Sequence, residues 1–547
     1  MPPFPIRSLI LLLALCFLLP RLAGQSESYV DRARKTGNVQ DLTLRQAIEM
    51  ALTRNLDIVV EGYAMELNRL QLKGALGFYD PQLTFSAGLN SSTFPTANTT
   101  QGGSGDLFTT IPTLTTRVSN FAPGLTQNIP GGGSFSATFA NSRTTTDDLL
   151  NFVNPVYSAA LNLTFTQPLW RGFLGGDPTQ HQIRVLQLNR KLTDSQFEQT
   201  VAQTVQQVHN GYWNLVLALE TYEVARQSRD LALVQQSTTA QKVQSGLLAP
   251  LALTSDQAEV ALHEQEMIQD EVQIISAENA LRQMLSPNPA DPIWNLTLIP
   301  TDRPKMQPLE VTMDGAIKTA MERRPELTQV GIQLEENAAD RKYYKNQSRP
   351  AVNLSLGAGS VGASGTIFNP ATGAELTTNP AFGGYPVSWK QAGAFDFPNW
   401  SVAVNVQIPL RNRTLEAQYA TSVVNQQQLL TQQKSTAQTV IVDVRNAYES
   451  VQLQQKAVDT ARINRELAEE QLRSATARFE TGFTTTFEVL RYQRDLSDAR
   501  IRELQAQINY QLAVAALQKA MNTIVSANDI ELARPPSRGA AAPATRK

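Results

Sequence analysis

Residues that commonly carry out chemistry are sparse in this sequence. Its only histidines are His181, His209 and His263, and no HExxH, CxxC or spaced histidine and carboxylate cluster includes them. His209 lies near Trp213 in a helical pattern, which favours packing in a helix wall over metal ligation. No GxSxG is present, and the glycine run 131–133 leads into no phosphate-binding helix. We therefore expect no enzyme activity, no metal and no other cofactor.

Two charged residues follow a glycine that interrupts a long helical pattern. Glu488 lies six residues after Gly482, and Arg491 lies three residues further on. At this spacing the two side chains can pair on a helix surface. If copies of the chain met around an axis, the carboxylates would instead crowd together and attract cations. In the first half of the chain the corresponding position is Ala252, and Asp256 follows one turn later.

The composition excludes some classes of protein and indicates export. Lys and Arg total 47 against 49 Asp and Glu, a net charge of −2 that gives no indication of a nucleic-acid partner. Arg7 and the apolar run 9–19 predict a secretory signal peptide over residues 1–25. The only cysteine, Cys16, follows Leu15 rather than a small residue, so we expect no lipid anchor. No later stretch is apolar over the ~18 residues that predict a transmembrane helix.

The chain contains the same pattern twice. Residues 42–89 match residues 311–358 without a gap; Thr43, for example, falls on Thr312. Later, Gly246 falls on Gly482. This register predicts an internal two-fold repeat, each copy with a helix, two strands and a long helical hairpin.

The repeats define the predicted domains. After the signal peptide we expect a linker at 26–41, a first repeat at 42–310 with a long loop at 92–156, a second repeat at 311–522 with a loop at 363–399, and a disordered tail at 523–547. The first loop has room for a hairpin of its own, because Phe135, Ala137 and Phe139 alternate near the glycines 131–133.

Four segments alternate between apolar and polar residues, as strands with two different faces do. They are 83–89, 161–165, 352–356 and 402–408. A soluble sandwich and a transmembrane barrel both fit this alternation. Four strands are too few to close a barrel, since about eight is the smallest number that works. In a membrane, three copies would have to combine into a twelve-stranded β-barrel.

Helical heptads fill most of the remaining sequence. Apolar residues recur at Val440, Val444, Val451 and Val458, a spacing typical of coiled coils. The glycine at each break is expected to end one helix, and a second helix then returns antiparallel to the first. In the first break, Pro250 is expected to open the returning helix.

These features resemble the TolC family of outer-membrane efflux proteins. The similarity lies in the paired entries "LTLRQAIEMALTRNLDI" and "VTMDGAIKTAMERRPEL", the strand exits "QPLW" and "IPLR", and the tips "KVQSGLLAPLALTSDQ" and "RFETGFTTTFEVLRYQ". The resemblance covers residues 42 to 522 and rests on the order and duplication of these motifs. It implies a mainly α chain with a small β part, whose long antiparallel helices form an α-barrel in the periplasm. It also implies a homotrimer with a twelve-stranded barrel in outer-membrane lipid.

The resemblance also implies roles for particular residues. Glu488 matches the first acidic position of the family's periplasmic gate, whereas Arg491 replaces the second acid. The hairpin tips would dock a periplasmic adaptor (membrane fusion) protein and an inner-membrane pump. The tip residues expected to do so are Gly246, Leu247, Gly482, Phe483 and Thr484.

The sequence thus favours a passive outer-membrane exit duct of a tripartite efflux or type I secretion system. The alternative is a periplasmic coiled-coil adaptor or scaffold without a pore. Adaptors also carry helical hairpins, but they do not need duplicated strands with an apolar face. A secreted enzyme is a third possibility, and the sequence offers no catalytic site for it.

Overall fold

A computed structural model of the chain describes residues 27–96, 111, 113–148, 151–173, 175–306, 310–367, 375, 382–528 and 530. The predicted signal peptide and most of the predicted tail lie outside these residues. No described helix combines the length and apolar composition that a membrane span requires. The described residues form two compact units, one from those within 27–63, 195–328 and 435–530 and one from those within 64–194 and 329–434.

Helices dominate the described chain. They are α1 (Tyr29–Thr36), α2 (Leu44–Arg54), α3 (Leu56–Leu76), α4 (Pro178–Gln244), α5 (Pro250–Leu285), α6 (Met313–Arg323), α7 (Pro325–Gln347), α8 (Tyr385–Ala394), α9 (Arg413–Glu480), α10 (Thr486–Ala520) and α11 (Ile524–Ala527). Thr43 begins α2 with a capping box, in which its hydroxyl accepts from the Gln46 amide at 3.2 Å. Thr312 caps α6 in the same way through the Gly315 amide at 3.2 Å.

The strands form two separate sheets. They are β1 (Val39–Leu42), β2 (Gln82–Pro95), β3 (Thr113–Ile129), β4 (Gly133–Thr146), β5 (Val153–Pro168), β6 (Thr297–Pro300), β7 (Ala351–Ile367) and β8 (Pro398–Gln407). Strands β1 and β6 pair in parallel. The others make one antiparallel six-stranded sheet in the order β2-β3-β4-β5-β7-β8.

The number of sheet strands corrects the sequence prediction. All four predicted strands are present as β2, β5, β7 and β8, but the segment 92–156, predicted as a loop, contributes β3 and β4. The predicted loop 363–399 likewise contains α8. The alternation of Phe135, Ala137 and Phe139 marks part of β4, but serine, threonine and glycine are so frequent in 92–156 that its overall composition resembles that of a loop.

The helical hairpins bury the predicted apolar positions. Val440, Val444 and Val451 on α9 are at most 1% exposed and pack with Tyr510 and Leu517 on α10. The polar interruption at Arg465 is satisfied across the same hairpin. Its Nε donates to the Glu503 carboxylate at 2.6 Å.

Both predicted terminal segments contain regular structure. Residues 26–41, predicted as a linker, contain α1 and most of β1, which pairs with β6. The predicted tail 523–547 begins with α11, where Ile524 is fully buried. Pairing between β1 and β6 joins residues that lie more than 250 positions apart in the sequence, and local patterns do not report such contacts.

Candidate functional site

Each helical hairpin turns on a glycine in the left-handed conformation. Gly246 has φ +76° and Gly482 has φ +82°. The amides that follow close the helix ends: Leu247 N donates to the Lys242 carbonyl at 2.8 Å, and Phe483 N donates to the Arg478 carbonyl at 2.8 Å. This is the Schellman arrangement, which ends a helix without leaving its last carbonyl groups unpaired.

Large apolar side chains project from both tips. Leu247 is 74% exposed and Phe483 is 87% exposed. The residue at this position usually packs back on the last helical turn. Leu251 and Phe487, at the start of the returning helices, are also exposed. The tips therefore present apolar surface.

The returning helices begin where the sequence predicts. Pro250 occupies the first turn of α5, and α10 begins at Thr486. The Thr484 hydroxyl donates to the Glu488 carboxylate. The Arg491 guanidinium lies over the ring of its neighbour Tyr492, 4.7 Å from the centroid. Arg491 therefore does not form the ion pair with Glu488 that the spacing allows, among the residues described.

The two tips pack against each other through a small cluster. Phe479 and Val489 of the second hairpin are at most 5% exposed, and Leu248 of the first hairpin contacts them. The Lys242 ammonium lies 3.9 Å from the centre of the Phe479 ring, within the range of a cation–π interaction. The two tips therefore share one packed cluster.

A charged cluster joins the returning helices beyond the tips. Arg494 on α10 donates from Nε to Glu259 on α5, at 2.7 Å and 3.0 Å to its two oxygens. His263 lies 3.5 Å from Glu259, and its Nδ1 lies 2.7 Å from the Glu266 carboxylate. Burial opposes the charge on Glu259, but hydrogen bonds from Arg494 and His263 prevail and lower its pKa to about 2. Burial also opposes the charge on His263, yet hydrogen bonds to Glu259 and Glu266 raise its pKa.

Asp256 is a buried acid one turn before this cluster. Its side chain is fully buried, and the Thr239 side chain offers it a hydrogen bond. Burial raises the pKa of Asp256 above its ordinary value. The first hairpin thus holds an acid near its tip, although not at the position equivalent to Glu488.

The charged cluster was not predicted from the sequence. The spacing of Glu259, His263 and Glu266 at three and four residues indicates a local network on one helix face. Arg494 lies 235 residues away from Glu259, so no local pattern relates them. The cluster forms only where the two hairpins pack against each other.

The other histidines have structural roles. His209 is buried against Trp213, whose Nε1 donates to its Nε2 at 3.4 Å, and burial lowers the pKa of His209 to about 4. This confirms the interpretation of His209 as a packing residue. His181 pairs with Asp340 at 2.8 Å. No cluster of metal-ligating side chains occurs in the part of the chain that the structure describes.

Comparisons with known proteins identify the fold. The family model described as "Outer membrane efflux protein" matches residues 316–523. A membrane protein from Pseudomonas aeruginosa is 17% identical with a TM-score of 0.61, covering 87% of this chain and 90% of that chain. The Campylobacter jejuni CmeC outer membrane channel is 13% identical with a TM-score of 0.60, covering 88% and 86%. The outer membrane protein VceC from Vibrio cholerae is 15% identical with a TM-score of 0.59, covering 88% and 96%.

No curated protein matches the sequence. The structural matches share the fold over most of this chain at low identity, so the similarity lies in the arrangement of helices and strands. Together with the family match, they confirm the resemblance to outer-membrane efflux proteins.

Proposed function

We propose that the chain is the exit duct of a tripartite efflux or type I secretion system, a proposal supported by the match of residues 316–523 to the outer membrane efflux protein family model. It works as a homotrimer in the bacterial outer membrane, with its helices extending into the periplasm. A partner pump in the inner membrane supplies the energy, and a periplasmic adaptor protein joins the pump to the duct.

The open sheet is the observation that carries this proposal. Strands β2 and β8 form its edges, and each is paired on one side only. Their apolar side chains are exposed, with Leu83 at 83% and Val402 at 61%. Unpaired backbone groups cost several kcal/mol each, about 2 to 7, in an apolar environment. Three copies joined edge to edge satisfy both edges, and they leave the apolar face to contact lipid.

Aromatic residues at one end of the apolar face support a membrane location. Tyr385 and Trp389 on α8 pack with Phe121, Phe139 and Tyr157 of the sheet, with ring centres 4.8 to 6.3 Å apart. Tyrosine and tryptophan concentrate where a membrane meets water, because their rings are apolar and their tips are polar. This end of the sheet fits the headgroup region.

The gate of the duct is proposed at Glu488. Its carboxylate accepts from Thr484, and Arg491 stacks on Tyr492 rather than neutralising it. Around a threefold axis, three such carboxylates crowd together and attract cations. The exposed Leu247 and Phe483 are proposed to dock the adaptor, together with the turn residues Gly246, Gly482 and Thr484, through the burial of apolar surface.

Membrane fractionation and bilayer recording test the proposal. We expect the chain in outer-membrane fractions, migrating on gels as a trimer that heating converts to monomer. In planar bilayers, Glu488→Ala should weaken block by multivalent cations, whereas the matched change Asp498→Ala, at a side chain 62% exposed, should not. A soluble monomer without conductance would favour the adaptor or scaffold instead.

A further inference from the structure

We propose that β3 and β4 are wall strands of the duct, so that its trimer closes an eighteen-stranded barrel. Six sheet strands per chain and three chains give 6 × 3 = 18, against the twelve that four strands per chain would give. The inference rests on the proposed function, since it concerns the pore of the same trimer.

The pairing of the strands places the β3–β4 hairpin inside the sheet, between β2 and β5. Strand β2 pairs with β3 over its whole length, from Gln82 opposite Thr126 to Pro95 opposite Thr113. On the other side, β4 pairs with β5 from Ser134 to Thr144. Strands β2 and β5 therefore have no contact in the ladder. Removing the β3–β4 hairpin from the wall would leave β2 without any partner and β5 paired with β7 alone.

One face of the sheet carries apolar side chains on every strand, including the β3–β4 hairpin within the predicted loop 92–156. A single row of paired residues, one from each strand, shows this continuity. The row is Leu83, Leu125, Ala137, Leu163, Ala358 and Trp400. Its outermost members, Leu83 and Trp400, are 83% and 80% exposed. A β3–β4 hairpin that lay outside the barrel wall would have no reason to carry apolar side chains on this face.

The opposite face is equally continuous in small and polar residues. The neighbouring row is Thr84, Gly124, Thr138, Asn162, Gly359 and Asn399. Side chains alternate between the two faces of a strand, so β3 and β4 carry the same division into a lipid side and a water side as the other four. The polar residues of β3 and β4 would line the pore.

A helix from the second half of the chain fastens the hairpin to the sheet. The Trp389 indole on α8 donates to Asn141 of β4 at 2.7 Å, and Asn141 is 2% exposed. The Phe121 ring of β3 lies 5.5 Å from the Tyr385 ring. Helix α8 also packs on β7, where a Cβ at Gly362 would lie 2.0 Å from the Ser388 carbonyl oxygen. The hairpin and the second strand pair are thus held as one surface.

The strand directions allow closure with copies of the chain. All six strands alternate in direction, so β2 and β8 at the two edges run antiparallel to each other. The β2 edge of one copy can therefore continue the alternation against the β8 edge of the next. Because barrel diameter grows roughly linearly with strand number, eighteen strands give a diameter about 1.5 times that of twelve. The duct would admit bulkier cargo at its outer end than a twelve-stranded barrel would.

Electron microscopy of the purified trimer in lipid nanodiscs tests the proposal directly. We expect eighteen strands around the axis, with β3 and β4 in the wall. A matched variant that lacks residues 113–148, and so joins β2 to β5, should form a barrel about one-third narrower. Twelve strands in the native trimer, with the hairpin outside the wall, would overturn the proposal and leave the duct function intact. A chain that forms no membrane trimer would overturn both.

Disulfide crosslinking in native membranes provides a second measurement. The only cysteine, Cys16, lies in the predicted signal peptide, so introduced cysteines would react alone. Ser86→Cys with Ala122→Cys joins paired positions of β2 and β3 and should crosslink nearly completely. Ser86→Cys with Asn162→Cys changes the positions of β2 and β5 that correspond in the repeat to the paired Ser355 and Ala403 of β7 and β8, and this pair should not crosslink. The reverse result would place β2 directly beside β5 and contradict the proposal.

Discussion

Arg494 and Glu259 join the two helical hairpins. The guanidinium donates to both oxygens of the carboxylate, and the Glu259 side chain is 1% exposed whereas that of Arg494 is 55% exposed. The pair links α10 to α5 beyond the tips that we propose as the gate. Any movement of one hairpin relative to the other would have to break this ion pair or move both helices together.

We expect Arg494→Gln to destabilise the helices and loosen the tips. It leaves a buried carboxylate without its cation, which costs about 3 to 5 kcal/mol for a fully buried pair. Because Arg494 is partly solvated, we expect about 1 to 2 kcal/mol, with solvent screening the rest. Urea unfolding followed by far-ultraviolet circular dichroism measures the loss, and bilayer recording should show higher conductance.

Arg502→Gln is the matched control for this change. Arg502 lies on the same helix, 3.9 Å from Asp498, and both side chains are more than 60% exposed. An exposed pair of this kind contributes about 0 to 1 kcal/mol, so this variant should unfold like the native chain. Equal unfolding curves for the two variants would show that the Arg494 link carries no stability.

His263 should make stability depend on pH near neutrality. Its pKa in the folded chain is raised above the ordinary value of 6.5 by hydrogen bonds to Glu259 and Glu266, which outweigh burial. The charged form is therefore favoured on folding, and this stabilisation is complete below pH 6.5 and lost as the pH rises through the raised pKa. In the His263→Gln variant this pH-dependent part of the stability should vanish. Melting temperatures from pH 5.5 to 8.5 test it, and a parallel decline in both proteins would refute it.

Asp256→Asn should stabilise the chain at neutral pH. Burial raises the pKa of the Asp256 carboxylate above 3.8, and the hydrogen bond with Thr239 offsets only part of this rise. Its ionised form therefore carries a cost in the folded state, which is absent below pH 3.8 and grows as the pH rises through the raised pKa. We expect a gain of about 1 to 3 kcal/mol at pH 7 that disappears in acid. Asp498→Asn, at an exposed side chain, should change nothing at either pH.

Gly482→Ala should strain the second tip. Gly482 has φ +82°, and an L-residue in the left-handed region costs about 1 to 2 kcal/mol. Gly331→Ala is the control, because Gly331 lies within α7 and an added Cβ there would have no atom within 4 Å. The alanine should stabilise the helix by up to about 1 kcal/mol through its higher helix propensity. Chemical unfolding of both variants compares them. A neutral Gly482→Ala would mean that the turn can adopt another conformation.

Gly362→Ala should separate α8 from the sheet. The new Cβ would meet the Ser388 carbonyl oxygen at 2.0 Å, which forces the backbone of one element to move. Gly393→Ala on α8 is the control, since a Cβ there meets nothing within 4 Å. Quenching of tryptophan fluorescence by a water-soluble quencher should increase for Gly362→Ala and not for Gly393→Ala, because Trp389 on α8 becomes more exposed when the helix moves from the sheet. Equal quenching in both variants would contradict the close packing.

The sequence could predict those parts of the site that depend on neighbours along the chain. Glycine at positions 246 and 482 ends a helix because only glycine adopts a positive φ without strain, and Pro250 opens the next helix because it needs no amide partner. The buried positions of α9 follow from the heptad spacing of its apolar residues, which is also a pattern of neighbours along the chain. The spacing of Glu488 and Arg491 allows an ion pair, but the stacking of Arg491 on Tyr492 shows that a favourable spacing does not fix a rotamer.

By itself, the sequence determined the repeated order of helices, strands and hairpin tips, because each follows from local periodicity and from the backbone preferences of glycine and proline. Only the tertiary structure decided which distant residues meet. It paired Arg494 with Glu259, buried the Asp256 carboxylate, and inserted β3 and β4 between β2 and β5. These outcomes depend on long-range packing and backbone pairing, in which the free energy comes from burial and hydrogen bonds between segments that no local pattern relates.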